Sequence, residues 1–171
     1  MMNPMKGLKP TSNLVSISGY TAESAANTFT TETATIDLDP LNQEVFVITS
    51  AAIDIDEADL VADTTTLVDC SLTKTRVDAV GGINQDTCIA SSRTSIVLGQ
   101  IGFSRDAPNL SASMDDYVTI LSTSDFYANI KGANNGNLKS FRWRVYGFRA
   151  RVTDPGVYAA LVQSEALSAN V

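Results

Sequence analysis

Apolar and polar residues alternate with a period of two along most of this chain, and turn residues interrupt the alternation at short intervals. NLVSISG sets Val15 and Ile17 on one face and Ser16 and Ser18 on the other, the pattern of a half-buried strand. A polar run from Tyr20 to Asn27 follows. In FTTETATIDL, Ala34, Ile36 and Leu38 share a side, and Asp39-Pro40 closes the segment as a turn. EVFVITSAAIDID starts apolar on both faces and ends with Ile53 and Ile55 opposed to Asp54 and Asp56, so a long strand should reach water at its far end. Glu57 to Asp63 reads as an acidic loop or a single helical turn.

Alternation resumes in TTLVDCSLTKTRV, with Val68, Cys70 and Leu72 inward, until Gly81-Gly82 and Asn84 break it. DTCIASS and TSIVLGQIGF predict two further strands. DYVTILS and DFYANIK are separated only by Thr123 and Ser124, which predicts a hairpin. GANNGN is a turn cluster, and FRWRVYGFRARV comes after it. There Phe141, Trp143 and Val145 face inward and Arg142 and Arg144 outward. Beyond Tyr146-Gly147 the apolar set becomes Phe148, Ala150 and Val152, and the polar set Arg149 and Arg151. A bulge at Gly147 would shift the register by one residue and keep both halves buried, with all four arginines on the polar face.

Asp154 can cap a short helix that begins at Pro155 and turns Val157, Tyr158, Leu161 and Val162 to one side. The opening residues carry Pro4, Gly7 and Pro10 and read as an extended arm that orders against a partner. The series of strands with almost no helix predicts an all-β fold, a single antiparallel β-sandwich or barrel. An arm over residues 1–12, a β domain over 13–153 and a helix and tail over 154–171 make up the chain.

Composition narrows the chemistry. At 171 residues the chain can bury a core without a disulfide framework or a structural metal. Nineteen acids against twelve bases give a net charge of −7, which makes free nucleic acid a poor partner. No apolar run reaches the ~18 residues of a spanning helix, and MMNPMKGLKP lacks the apolar segment of a secretory signal. Cys70 and Cys88 are expected as buried free thiols, with a disulfide left open should their strands lie side by side.

The sequence contains no histidine, which closes the Ser-His-Asp and Cys-His arrangements and every histidine metal site. Asp37 with Asp39, and Asp54 with Asp56, project in pairs from strands and read as solvated carboxylates. DIDEADLVAD lacks the glycine and the spacing of a calcium loop, and no phosphate-binding glycine motif occurs. No catalytic residue, metal or cofactor is expected, and the chain is not expected to be an enzyme.

The arginines remain. A strip that tracks phosphates would need stacking rings on the arginine face, whereas Phe141 and Trp143 oppose it. Arg142, Arg144, Arg149 and Arg151 are therefore expected to meet carboxylates, and Asp54, Asp56, Glu57, Asp59 and Asp63 cluster within one short stretch. If strip and cluster lie on different faces, they suit one another across a contact between subunits.

The strand series from Leu14 to Val152, the arm Met1 to Ser12 and the tail Gly156 to Val171 together resemble, in layout, virus capsid proteins of the single jelly-roll type. The resemblance implies a jelly-roll sandwich and a structural coat protein that assembles with copies of itself into an icosahedral shell, located in the virion. Its implied partners are those copies, with a second coat protein left open and no specific nucleic acid contact. The arm carries only Lys6 and Lys9, unlike the arginine-rich arms of small RNA-virus shells. That fits tailless viruses whose internal membrane separates shell from genome. A non-viral β-sandwich is the alternative. It would be a subunit of a cell-surface filament or layer, or a carbohydrate-binding module stacking sugars on Tyr117, Tyr127 or Trp143.

Overall fold

The computed structural model describes residues 7–98, 101–105 and 117–169. Among them, ten strands run in the order β1 (Leu8–Pro10), β2 (Val15–Ala22), β3 (Thr30–Thr35), β4 (Glu44–Ile55), β5 (Thr66–Thr73), β6 (Cys88–Val97), β7 (Ile101–Arg105), β8 (Thr119–Leu121), β9 (Asp125–Ala133) and β10 (Ser140–Val152). A helix, α1 (Pro155–Ala169), closes the series. Two antiparallel sheets form. In sheet A, β10 lies between β4 and a flank shared by β1 and β2, and β8 borders β4. Sheet B has the order β3-β9-β5-β6-β7. The chain changes sheets between β2 and β3, β3 and β4, β4 and β5, β7 and β8, β8 and β9, and β9 and β10. The orders β2-β10-β4-β8 and β3-β9-β5-β6 are those of a jelly roll.

The core fills the space between the sheets. Sheet A contributes Phe46, Ile48, Leu121, Phe141, Trp143 and Val145, and sheet B contributes Val68, Cys70, Leu72, Phe126, Ala128 and Ile130. Phe126 meets Trp143 edge to face with ring centroids 5.2 Å apart. Burying each large apolar side chain stabilises the fold by roughly 1.5–3 kcal/mol, so this layer dominates the energetics.

A second apolar cluster lies on the opposite side of sheet A. Val45, Val47, Phe148, Ala150 and Val152 are buried there, under Leu8 of β1, Ile120 of β8, and Tyr158 and Leu161 of α1. Successive residues of a strand point to opposite faces, so Phe46 and Ile48 belong to the first cluster and Val45 and Val47 to the second. The run that starts β4 is apolar on both faces because both faces are covered.

The register does shift between Tyr146 and Gly147, but the extra residue is on β4. Tyr146 pairs with Ser50 and Gly147 with Ile48, which leaves Thr49 unopposed, while β10 continues against β2 without a break through Gly147 and Val15. Thus β10 keeps its alternation throughout. Phe148, Ala150 and Val152 are buried as expected, yet on the face opposite Phe141, Trp143 and Val145. Arg149 and Arg151 consequently lie on the other face from Arg142 and Arg144, and the single arginine strip does not exist. Gly147 has a different task. A Cβ there would run into the Phe46 ring and the Val47 carbonyl oxygen, so glycine lets β4 and its phenylalanine close on β10.

Two more expectations change. DYVTILS and DFYANIK do not form a hairpin: β8 pairs with β4 in sheet A and β9 with β3 and β5 in sheet B. Thr123 and Ser124 make a corner between sheets, held by Ile36 N–H donating to the Ser124 carbonyl at 2.7 Å. DTCIASS and TSIVLG merge into the single strand β6, which turns into β7. Of the arm, residues 7–12 fall among the described ones. Leu8 to Pro10 pair with Val152 to Ala150 of the same chain, and the Gly7 carbonyl accepts Thr153 N–H at 2.9 Å. No disulfide joins Cys70 and Cys88, which lie on adjacent strands but out of register: Cys70 faces Ser92 and Cys88 faces Thr73.

Candidate functional site

Helix α1 roofs only the half of sheet A's outer face that carries the second cluster. The other half is open. Outward positions of three neighbouring strands meet there in cross-strand rows: Tyr20, Arg142 and Asp54 in one, Ser18, Arg144 and Ala52 in the next, and Ser16, Tyr146 and Ser50 in the third. The result is an open groove of about 560 Å³ lined by Ser18, Tyr20, Ala52, Asp54, Arg142, Arg144 and Tyr146.

Inside the groove, the Arg142 guanidinium lies 5.9 Å from the centre of the Tyr20 ring. Its Nη1 donates to Asp54 Oδ2 at 3.5 Å. Both partners are well exposed, with side-chain exposures of 63% and 76%, so the pair contributes about 0–1 kcal/mol at most. Arg144 is exposed, and the neighbours its register provides, Ser18 and Ala52, carry no charge. It makes no ion pair with any described residue. The aromatic residues that share the arginine face are Tyr20 and Tyr146. Extending the Ser16, Ser18 alternation by one step would have found Tyr20, which the sequence reading assigned to the polar run.

Arg149 and Arg151 lie elsewhere. Arg149 Nη1 donates to Glu44 Oε2 at 3.0 Å and to the Asp37 carbonyl at 2.6 Å, which ties β10 to the turn before β4. Arg151 is exposed at the end of β10, opposite Glu44 and Lys9 in the register.

The acidic cluster also divides. Asp54 faces Arg142 on the same subunit, in the groove itself. Asp56 accepts Ser140 N–H at 2.9 Å and the Ser140 hydroxyl at 2.7 Å. Asp59 accepts Lys139 Nζ at 2.5 Å and the N–H groups of Gly136 and Asn137 at 2.9 and 3.0 Å. The Lys139 hydrogen bond holds the Asp59 carboxyl below its ordinary range, against the opposing effect of desolvation. Glu57 and Asp63 are exposed and make no such contacts with described residues. Asp56 and Asp59 therefore pin the turn before β10, while Glu57 and Asp63 stay on display.

Sequence reasoning missed a buried polar node beside this loop. Glu23, 3% exposed, accepts Gly132 N–H at 2.6 Å and Lys139 N–H at 2.9 Å. The Asn135 side chain accepts Asp59 N–H at 2.9 Å and donates to the Leu67 carbonyl at 2.8 Å. Asn27 Oδ1 accepts Asn135 N–H at 2.8 Å. Three connections between strands are locked together at this end of the sandwich, a role that no local pattern in GANNGN announces. Among the described residues no group of three His, Cys, Asp or Glu side chains could hold a metal ion. Of the proposed sugar platforms, Trp143 is 7% exposed and packs in the core, Tyr127 is half-buried, and Tyr117 is 47% exposed.

No family model and no curated protein matches the chain. Solved structures with some likeness include Desmodium yellow mottle tymovirus, with TM-score 0.33, 8% identity, and 86% of this chain and 95% of that chain covered. Turnip yellow mosaic virus at 100 K has TM-score 0.32 and 10% identity, covering 86% and 99%. A further turnip yellow mosaic virus structure has TM-score 0.31 and 12% identity, with the same coverage. These superpositions are too loose to bear on function, and the jelly-roll order rests on the strand pairing alone.

Proposed function

We propose that this chain is a structural subunit that packs against copies of itself, as the coat protein of an icosahedral shell. The observation that carries the reading is α1. Its fifteen residues, PGVYAALVQSEALSA, contain a single charge, Glu165. Tyr158 and Leu161 dock on sheet A, but Val157 is 52% exposed and Ala159 and Ala160 are exposed as well. A helix apolar on both its docked and its outward side is normally covered on both, so the outward side calls for a neighbour.

The jelly-roll order supports this reading, because coat proteins use that layout. Lectins and cupins use it too, so the order alone does not name a function. A cupin-type histidine metal site is closed by the absence of histidine from the sequence. In this proposal the shell is where the chain resides, and the two lysines of the arm leave genome contact out of its task. Gel filtration and negative-stain imaging of the purified full chain test it. Closed shells or rings of subunits are expected, and a chain that stays monomeric at every concentration would overturn it. A glycan-binding reading draws on Tyr20, 57% exposed beside Arg142 and Asp54. A monomer that binds a glycan array, and loses binding in Tyr20→Ala, would favour it.

A further inference from the structure

Building on that proposal, we infer that the Tyr20–Arg144–Tyr146 groove receives the Glu57–Asp63 loop of a second copy of the chain. In the groove Arg144 stands between the small uncharged Ser18 and Ala52, with Tyr20 and Arg142 in the neighbouring row on one side and Tyr146 in the row on the other. Among the described residues, Asp54 is the one carboxylate in the groove, and it pairs with Arg142. Among the described residues Arg144 therefore has no carboxylate partner, in a chain whose net charge is −7.

The loop is the chemical counterpart. Leu60 is 73% exposed, and the carboxylates of Glu57 and Asp63 stand on either side of it in sequence, both exposed. Asp59, between them, is fixed to Gly136, Asn137 and Lys139, so the loop is held in place at its middle while its flanks are presented. A leucine between two acids fits a surface where Tyr20 and Tyr146 offer apolar rings beside Arg142 and Arg144. Apolar contact would seat Leu60, and the guanidinium forks would fix its orientation.

When each pair of copies makes one such contact, it is heterologous and propagates head to tail. Such contacts close into rings when the rotation between copies permits. Of the nine charged residues that the sequence marks as interface candidates, Arg144, Glu57 and Asp63 serve this contact, Arg142 is shared between Asp54 and the incoming loop, and Arg151 is exposed away from the groove at the end of β10. Arg149, Asp56 and Asp59 are engaged within the subunit.

Charge reversal tests the inference. Arg144→Glu, and separately Glu57→Lys with Asp63→Lys, should each weaken self-association about tenfold or more in sedimentation velocity, since like charges would then face each other. The two variants mixed should associate again, because the reversed pair is complementary. Leu60→Ser should weaken association while leaving the melting temperature of the subunit unchanged. Wild-type association in Arg144→Glu, or no recovery on mixing, overturns the inference and leaves the proposed self-assembly standing. A wild-type chain that stays monomeric overturns both. Loss of binding to a single-stranded oligonucleotide in Arg144→Glu with association intact would assign the groove to phosphate and also overturn it.

Discussion

Asp59 concentrates the acid sensitivity of this end of the sandwich. Its carboxylate holds Lys139, whose side chain is only 9% exposed, and two backbone N–H groups. Because the folded pKa lies below the ordinary value of 3.8, the stabilisation is complete above that value and is lost as pH falls through the lower folded pKa. Asp59→Asn should destabilise the neutral protein by about 1–3 kcal/mol, the range for leaving the buried Lys139 ammonium without its carboxylate. Thermal melts of both proteins from neutral pH into strong acid should show that gap closing only at the acid end. A gap independent of pH would contradict the assignment. Gly147→Ala offers a purely steric test: the added methyl meets the Phe46 ring and the Val47 carbonyl. A loss of about 1–3 kcal/mol, read from the urea midpoint, is the expected cost of overpacking.

At the scale of elements, β4 and α1 decide how sheet A is used. Thr49 is the extra residue that lets β4 place Phe46 and Ile48 inward and, further on, Ala51, Ile53 and Ile55 inward as well. Deleting it would put one half of the strand on the wrong face, since a slip of one residue exchanges the faces of a strand. The deletion variant should lose cooperative unfolding in a denaturant titration. Among the described residues, Tyr158 and Leu161 are the helix side chains packed on the second cluster. Replacing both by serine should lower stability by roughly 1–3 kcal/mol and raise binding of a hydrophobic dye, because the second cluster would meet water. Unchanged dye binding would mean that the helix is not the cover.

For the whole molecule, charge sets how copies approach one another. Repulsion between chains of net charge −7 acts over long distances and is already reduced at ~0.1 M salt, where the screening length is about 10 Å. Arginine–carboxylate contacts act at a few ångströms and persist until the screening length approaches about 3 Å near 1 M. Self-association should therefore rise from low to intermediate ionic strength and fall again toward molar salt. Light scattering across that range checks the shape. A monotonic increase would point to purely apolar association through α1.

The strand positions, the inward sets Val68, Cys70 and Leu72 or Phe141, Trp143 and Val145, and the capped helix at Asp154 follow from the sequence by itself, because period and turn chemistry are local properties of the chain. That Thr123 and Ser124 turn a corner between sheets, that the extra residue belongs to β4, and that Phe148 is buried under a helix depends on which strands lie side by side. A one-strand pattern records that a residue is apolar but not which of two faces will be covered. Sorting Arg144, Glu57 and Asp63 from Arg149, Asp56 and Asp59 likewise required the tertiary structure, since like residues in one stretch differ only in the partners that distant segments bring to them.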